Sequence, residues 1–178
     1  AQTQTTPNTT DHFGISGDCG TADASWSNAK NGFAFALDHQ AAILVFQPYT
    51  NNTALHNCFL TKIEVTSNNN ITNTYTLNST TGELTGTGSG NQIILTTTGS
   101  GSYANGFPLN TTSANITTNG AYMIIKPGTH ILKIRYWVKD IVTNVEGTVT
   151  KTLNSFNYVK NTYYDMIANL NVKDYDGN

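Results

Sequence analysis

The longest strict alternation of apolar and polar positions lies between Lys126 and Leu153. Leu132, Ile134, Tyr136 and Val138 fall on one parity and Lys133, Arg135 and Lys139 on the other, the period of a half-buried β-strand. Trp137 interrupts the polar parity. After a polar turn from Asp140 to Asn144 the alternation resumes, with Val145, Val149 and Leu153 against Glu146, Thr148, Thr150 and Thr152. This predicts a long hairpin, one face of which must be covered by a second sheet. Phe33 to Phe46 is expected to be one strand, and because Ala41 to Phe46 is apolar on both parities it is expected to be covered on both faces. Phe59 to Thr66 alternates with Phe59, Thr61, Ile63 and Val65 on one side. Ile71 to Leu77, Gln92 to Thr98 and Ala121 to Ile125 are further short runs. The last strand, Thr162 to Val172, directs Tyr164, Met166, Ala168, Leu170 and Val172 inward. Short strands at this spacing predict an all-β chain, a β-sandwich of about seven to eight mainly antiparallel strands with Greek-key connections.

The pattern also divides the chain. Residues 1–31 are Thr, Asn, Gly and Ser with isolated apolar positions (Phe13, Ile15, Trp26) and no sustained period, as expected of an N-terminal extension. Residues 32–173 carry the sandwich. Residues 174–178, Asp-Tyr-Asp-Gly-Asn, read as the start of a linker to a domain beyond this chain. Gly99 to Gly120 is a long loop that Phe107, Pro108 and Leu109 are expected to pin down.

Composition narrows the function. Charged residues are 11% of the 178 and the net charge is −2, so the electrostatic footprint of a nucleic-acid binder is missing. Thr and Asn supply roughly three residues in ten, which makes soluble surface from hydroxyls and amides and suits an extracellular chain. No apolar run approaches the length of a membrane span. The two cysteines, Cys19 and Cys58, are most simply one disulfide in a secreted chain, closing a loop worth on the order of 3 to 4 kcal/mol; the alternative is two buried free thiols.

Candidate chemistry is sparse. His12, His39, His56 and His130 share no metal-ligand spacing; His39 is expected to be an interior imidazole and His130 to open an exposed strand. Asp174 to Asn178 alternates oxygen ligands like the start of a calcium loop but stops before the distal Glu such a loop needs. Gly14-Ile15-Ser16-Gly17 is one residue short of a nucleophile elbow, the glycines from Gly82 to Gly90 lack the Lys and helix of a phosphate cradle, and no converging carboxylates are legible. No enzyme, no metal and no cofactor are expected. Trp26, Tyr49, Tyr103 and Trp137 are candidates for an exposed sugar-stacking platform, with Trp26 and Trp137 the residues expected to bind ligand if the chain is an adhesin or carbohydrate-binding module.

The segments GDCGTADA, FALDHQAA, HNCFLTKIEVTSNNNI, TYTLNSTTGELTGTG, GAYMIIKPGTHILKIRYWVKD, VEGTVTKTL and NTYYDMIANLNVKDYDGN resemble, in order, the N-terminal domain of fimbrillin-like proteins from gut Bacteroidales. The resemblance covers most of the chain from Gly17 onward. It implies a transthyretin-like sandwich, secreted from a lipoprotein precursor to the bacterial surface or outer membrane. There it would serve as a stalk, anchor or tip subunit of a fimbria, or as a related adhesin. The implied partners are other fimbrial subunits and surface glycans or proteins. Such proteins usually continue into a second domain, so the chain is expected to be the first of two. The family is thought to lose an N-terminal strand to an Arg- or Lys-specific protease and to fill the gap with a neighbour's strand. Here the first basic residue is Lys30, so the cut would fall there or upstream of Ala1.

Overall fold

The structure, a computed structural model, describes residues 1–72, 74–86 and 88–171 and the backbone of 175–177. Its principal strands are β1 (Gln2–Thr3), β2 (Ala42–Tyr49), β3 (Cys58–Ser67), β4 (Gln92–Thr96), β5 (Phe107–Pro108), β6 (Ala121–Ile125), β7 (Leu132–Asp140), β8 (Glu146–Thr152), β9 (Tyr163–Asn169) and β10 (Tyr175–Gly177). They form a seven-stranded sheet in the order β1-β4-β3-β7-β8-β10, with β5 also on β3, and a three-stranded sheet in the order β6-β2-β9. Pairing is antiparallel except for β1 with β4 and β9 with β2. The chain is therefore an all-β sandwich of mainly antiparallel strands, as the periodicity predicts.

The core lies between the inner faces. Leu132, Ile134, Tyr136 and Val138 of β7 and Val149 of β8 pack with Ile63, Val65 and Leu95 on one side, and with Leu44, Phe46 and Met123 of the smaller sheet on the other. Tyr136 is 1% exposed and meets the Phe46 ring edge-on at 6.2 Å. Burial of that kind holds the phenol neutral, its pKa well above the ordinary value. The hairpin face read from the alternation is thus the core face. Val145 departs from it: it sits in the turn and is exposed. Phe107 and Leu109 are buried, anchoring the long loop, and that loop carries a 3-10 turn, Gly101–Tyr103, and an α-helical turn, Ile116–Asn119, capped by the Asn115 side chain.

Three expectations of register are corrected. In β3 the buried residues are Cys58, Leu60, Ile63, Val65 and Ser67, not one alternating set, because the pairing with β7 shifts between Trp137 and Val138. An extra residue in β3 at that bulge switches which parity faces the core. Phe33 to Phe46 is not one strand. Gly32–Ala34 pairs with Ser25–Ser27 in a hairpin arm, Asp38–His39 pairs with Gly20–Thr21 at its base, and only Ala42 onward joins the sandwich. Ile71 to Leu77 is reduced to Thr76–Leu77, paired with Leu84–Thr85, and a bridge from Thr72 to Gly90. At the other end, Tyr164, Met166, Ala168 and Leu170 face the core as predicted. Val172, Lys173, Asp174 and Asn178 lie outside the described residues, and Tyr175–Gly177 pairs with β8.

Residues 1–31 are joined to the sandwich by more than a tether. The central strand β2 is buried on both faces, so the outer face of the smaller sheet needs cover. Phe13 supplies it, buried with Ile43, Val45, Tyr122 and Ile124 in a second apolar cluster. Leaving those four sheet residues in water would forfeit about 1.5 to 3 kcal/mol each, a sum comparable with a whole domain's stability of about 5 to 15 kcal/mol. Phe13→Ala is therefore expected to lower the unfolding free energy by about 3 kcal/mol in urea titration. A loss under about 0.5 kcal/mol, the level of an ordinary surface substitution, would show that the segment is not part of the folding unit.

Candidate functional site

β6 is an edge strand, and in an antiparallel ladder alternate residues turn their N–H and C=O groups away from the partner. Here those residues are Tyr122 and Ile124. Burial leaves such groups no water, so each needs a protein partner. The partners are side chains from the N-terminal segment. Gln2 donates from Nε2 to the Ile124 carbonyl at 2.7 Å and accepts from the Ile124 N–H at 3.1 Å. Gln4 accepts from the Tyr122 N–H at 2.7 Å and donates to the Gly120 carbonyl at 3.0 Å. His12 Nε2 donates to the Tyr122 carbonyl at 3.0 Å.

The local sequence explains the arrangement. In the extended run Gln2-Thr3-Gln4 the glutamines share one side and Thr3 faces solvent. On the other flank the backbone pairs in parallel with β4, Gln2 opposite Leu95 and Thr3 opposite Thr96, and Gln4 N–H donates to the Thr96 carbonyl at 2.9 Å. One short strand therefore closes both sheets: β4 by its backbone, β6 by its amide side chains. Gln2 is 6% and Gln4 1% exposed. The chain then turns at Asn8, whose φ of 56° is in the left-handed region that Asn tolerates. Asn8 N–H donates to the Gly120 carbonyl at 2.8 Å, and its side chain accepts from the Tyr122 hydroxyl at 2.7 Å. Beside Gln2 opens a cavity of about 390 Å³ lined by Ile71, Ile93, Ile124, Tyr75 and Lys126. Sequence reasoning passes over this site because Gln-Thr-Gln carries no apolar signal; the only trace is a polar i, i+2 pair in a segment without charge.

His12 is buried and its Nδ1 has no partner, so protonation would place a second N–H where nothing accepts it. Burial accordingly holds its pKa below the ordinary 6.5, against smaller opposing effects of the Tyr122 carbonyl and Asp11. His130, expected to open an exposed strand, is instead 3% exposed, stacked on Tyr158 and bonded through Nε2 to the Lys126 carbonyl; burial lowers its pKa too.

The other sequence candidates do not converge. Trp26 lies on the hairpin arm, exposed, edge-on to Phe33 at 5.6 Å with Nε1 donating to Asn28. Trp137 lies on the outer face of the larger sheet, where the Lys62 ammonium occupies one face of its ring at 3.7 Å. Tyr49 is half-buried at the end of β2, and Tyr103 packs on the core against Phe107, so the four aromatics form no platform. His39 is a half-exposed imidazole at the base of the arm, 2.6 Å from Asp18, and not an interior one. His56 bonds to the Thr50 carbonyl. Among the described residues no three His, Cys, Asp or Glu side chains stand together as a metal site, and no helix is long and apolar enough to cross a membrane.

The bridge expected between Cys19 and Cys58 is not formed; both are free thiols. Cys58 begins β3 opposite Asp140, whereas Cys19 lines the cavity with Ile93, which pairs with Val65 toward the far end of β3. Several residues of strand at about 3.3 Å each separate these places, and a disulfide needs Cα atoms within about 7 Å.

No family model and no curated protein matches the chain. Among solved structures it is similar to a candidate cell adhesion protein from Bacteroides ovatus, at 14% identity and a TM-score of 0.43, over 92% of this chain and 57% of that one. The chain thus spans a little over half the length of that protein, and the superposition is too loose to carry a role across.

Two outcomes are expected. As pH falls below about 6.5 the unfolded chain takes up protons at His12 and His130 before the folded chain does, so stability is full above that pH and is lost toward the lower folded values. The urea midpoint should fall between about pH 7.5 and pH 5, and His12→Gln should flatten part of that fall; an equal slope in the variant would remove His12 from the account. Alkylation of the unfolded, unreduced chain should add two adducts by mass, and none would restore the disulfide.

Proposed function

We propose that this chain is a non-catalytic structural subunit of a bacterial surface fimbria, joined to its neighbours by strand exchange at the seat of β1. The observation that carries this reading is the way β1 is held. It pairs with β4 over two residues, meets β6 through polar side chains, and places no apolar side chain in the core. An edge strand attached so lightly can be displaced by an extended segment that offers the same hydrogen bonds, and a vacated seat exposes two sheet edges that favour such a segment. Where each subunit gives its segment to the next and receives one from the last, the contact is head-to-tail, and when its rotation does not close it builds a filament. The fimbrillin-like order of segments, the low charge and the hydroxyl- and amide-rich surface agree with an extracellular place at the cell surface.

A second reading, an adhesin or carbohydrate-binding module on the same sandwich, is favoured by the arm. Trp26, Phe33, Phe35 and Leu37 are 56%, 70%, 64% and 64% exposed, four large apolar side chains gathered on one short projection. Such patches on a single chain are often functional. In that case glycan arrays should give sugar-dependent binding that Trp26→Ala abolishes.

The fimbrial reading is tested by locking the seat. Thr3 lies opposite Thr96, so the pair Thr3→Cys and Thr96→Cys should hold β1 in place when oxidised. Cells producing that variant are expected to lose the filaments that gold-labelled antibodies to the chain decorate, and to regain them on reduction. Filaments unaffected by the lock would remove β1 exchange from assembly, and antibody label confined to the cytoplasm would remove the fimbrial role itself.

A further inference from the structure

We infer that the β1 seat chooses its occupant by amide side chains, accepting an extended polypeptide segment that carries Gln at two alternate positions, aligned with Gln2 and Gln4. This rests on the proposal that the seat exchanges strands and specifies what it exchanges for. A groove left between two sheets is ordinarily filled by apolar side chains, but this one presents backbone. The Ile124 N–H and carbonyl and the Tyr122 N–H point into it, and the glutamine amides answer all three. The Gly120 carbonyl is also met by Asn8 N–H, so it makes the weakest demand.

Each alternative side chain fails for a stated reason. An apolar one fills the space and leaves buried backbone groups unpaired. A Glu accepts from the N–H groups but, ionised, has no proton to donate to the Ile124 carbonyl, and at the position of Gln4 it would bury a carboxylate. An Asn is one methylene short of the same reach. The intervening position, Thr3, faces solvent and is free to vary. Direction is also set: the incoming backbone must run parallel to β4, as Gln2 opposite Leu95 and Thr3 opposite Thr96 require. The seat therefore reads a pattern, Gln-X-Gln in an extended strand, and not a hydrophobic ladder.

The test uses the chain lacking Ala1 to Thr6, its fold checked by near-ultraviolet circular dichroism, and a fluorescent peptide of residues 1–8. Binding is compared with the same peptide carrying Gln2→Met, Gln4→Met or Gln2→Glu; Met keeps the length and removes the hydrogen bonds. The unmodified peptide should bind, and each substitution should weaken it by about tenfold or more. Equal affinity for the Met peptides overturns amide selection and leaves strand exchange standing. No binding by any peptide to the folded, shortened chain overturns the exchange seat itself. If the shortened chain does not fold, amide hydrogen exchange in the intact chain decides. Gln4→Met should speed exchange at Tyr122 and Gln2→Met at Ile124, each by about tenfold or more, while Met123, facing β2, stays protected. Unchanged rates at Tyr122 and Ile124 would overturn the proposal.

Discussion

The structure depends on covering a three-stranded sheet whose strands β2 and β6 are apolar on both faces and whose β6 edge is buried. A sheet with helices on its outer face would solve this in the usual way, but the helices among this chain's described residues are three short turns of three or four residues. It uses its N-terminal segment instead. Phe13 lies on the outer face and Gln2, Gln4 and His12 on the β6 edge, so that dispersion and hydrogen bonding are supplied by one continuous run of sequence. The smaller sheet could not bury Ile43, Val45, Tyr122 and Ile124 without it.

The two halves of that run are held by different physics. From Asn8 onward the hold is apolar and central to stability, through Phe13. Before Asn8 it is mainly polar, through a two-residue strand and two buried amides, with Pro7 the one buried apolar side chain. An apolar contact is lost when a segment leaves, whereas a set of backbone hydrogen bonds can be transferred to another strand of suitable chemistry at little net change. The left-handed Asn8 marks where the polar part of the strap meets the apolar one. His12, neutral by burial, ties the apolar part to the Tyr122 carbonyl and gives it a dependence on pH.

The exposed arm and the buried seat belong to one connection. The arm springs from Gly20–Thr21 and Asp38–His39, close to where Asp18 meets His39, and His39 in turn lies edge-on to Phe13 at 6.2 Å. Asn161, just before β9, fixes this base by accepting from the His39 N–H and donating to Asp38. Four large exposed apolar residues, Trp26, Phe33, Phe35 and Leu37, are thus carried on a base that is pinned to the smaller sheet, while Trp137 sits on the opposite, larger sheet under Lys62. No pattern of aromatic residues along the chain could have told these two environments apart.

The sequence by itself determined what depends on neighbours one or two positions away. Leu132, Ile134, Tyr136 and Val138 form one core face because a strand's side chains alternate, and Ala42 to Phe46 is covered on both sides because both parities are apolar. The sandwich class and most of its strands follow from that. Tertiary structure decided what depends on residues far apart. The bulge opposite Trp137 and Val138 switched the face of β3, and Cys19 and Cys58 came to rest apart, as a spacing of residues cannot foretell. The seat of β1 is the fullest case: Gln2 and Gln4 carry no signal in a polar segment, and acquire their role only because β6, more than a hundred residues on, is an edge whose buried backbone has no other partner.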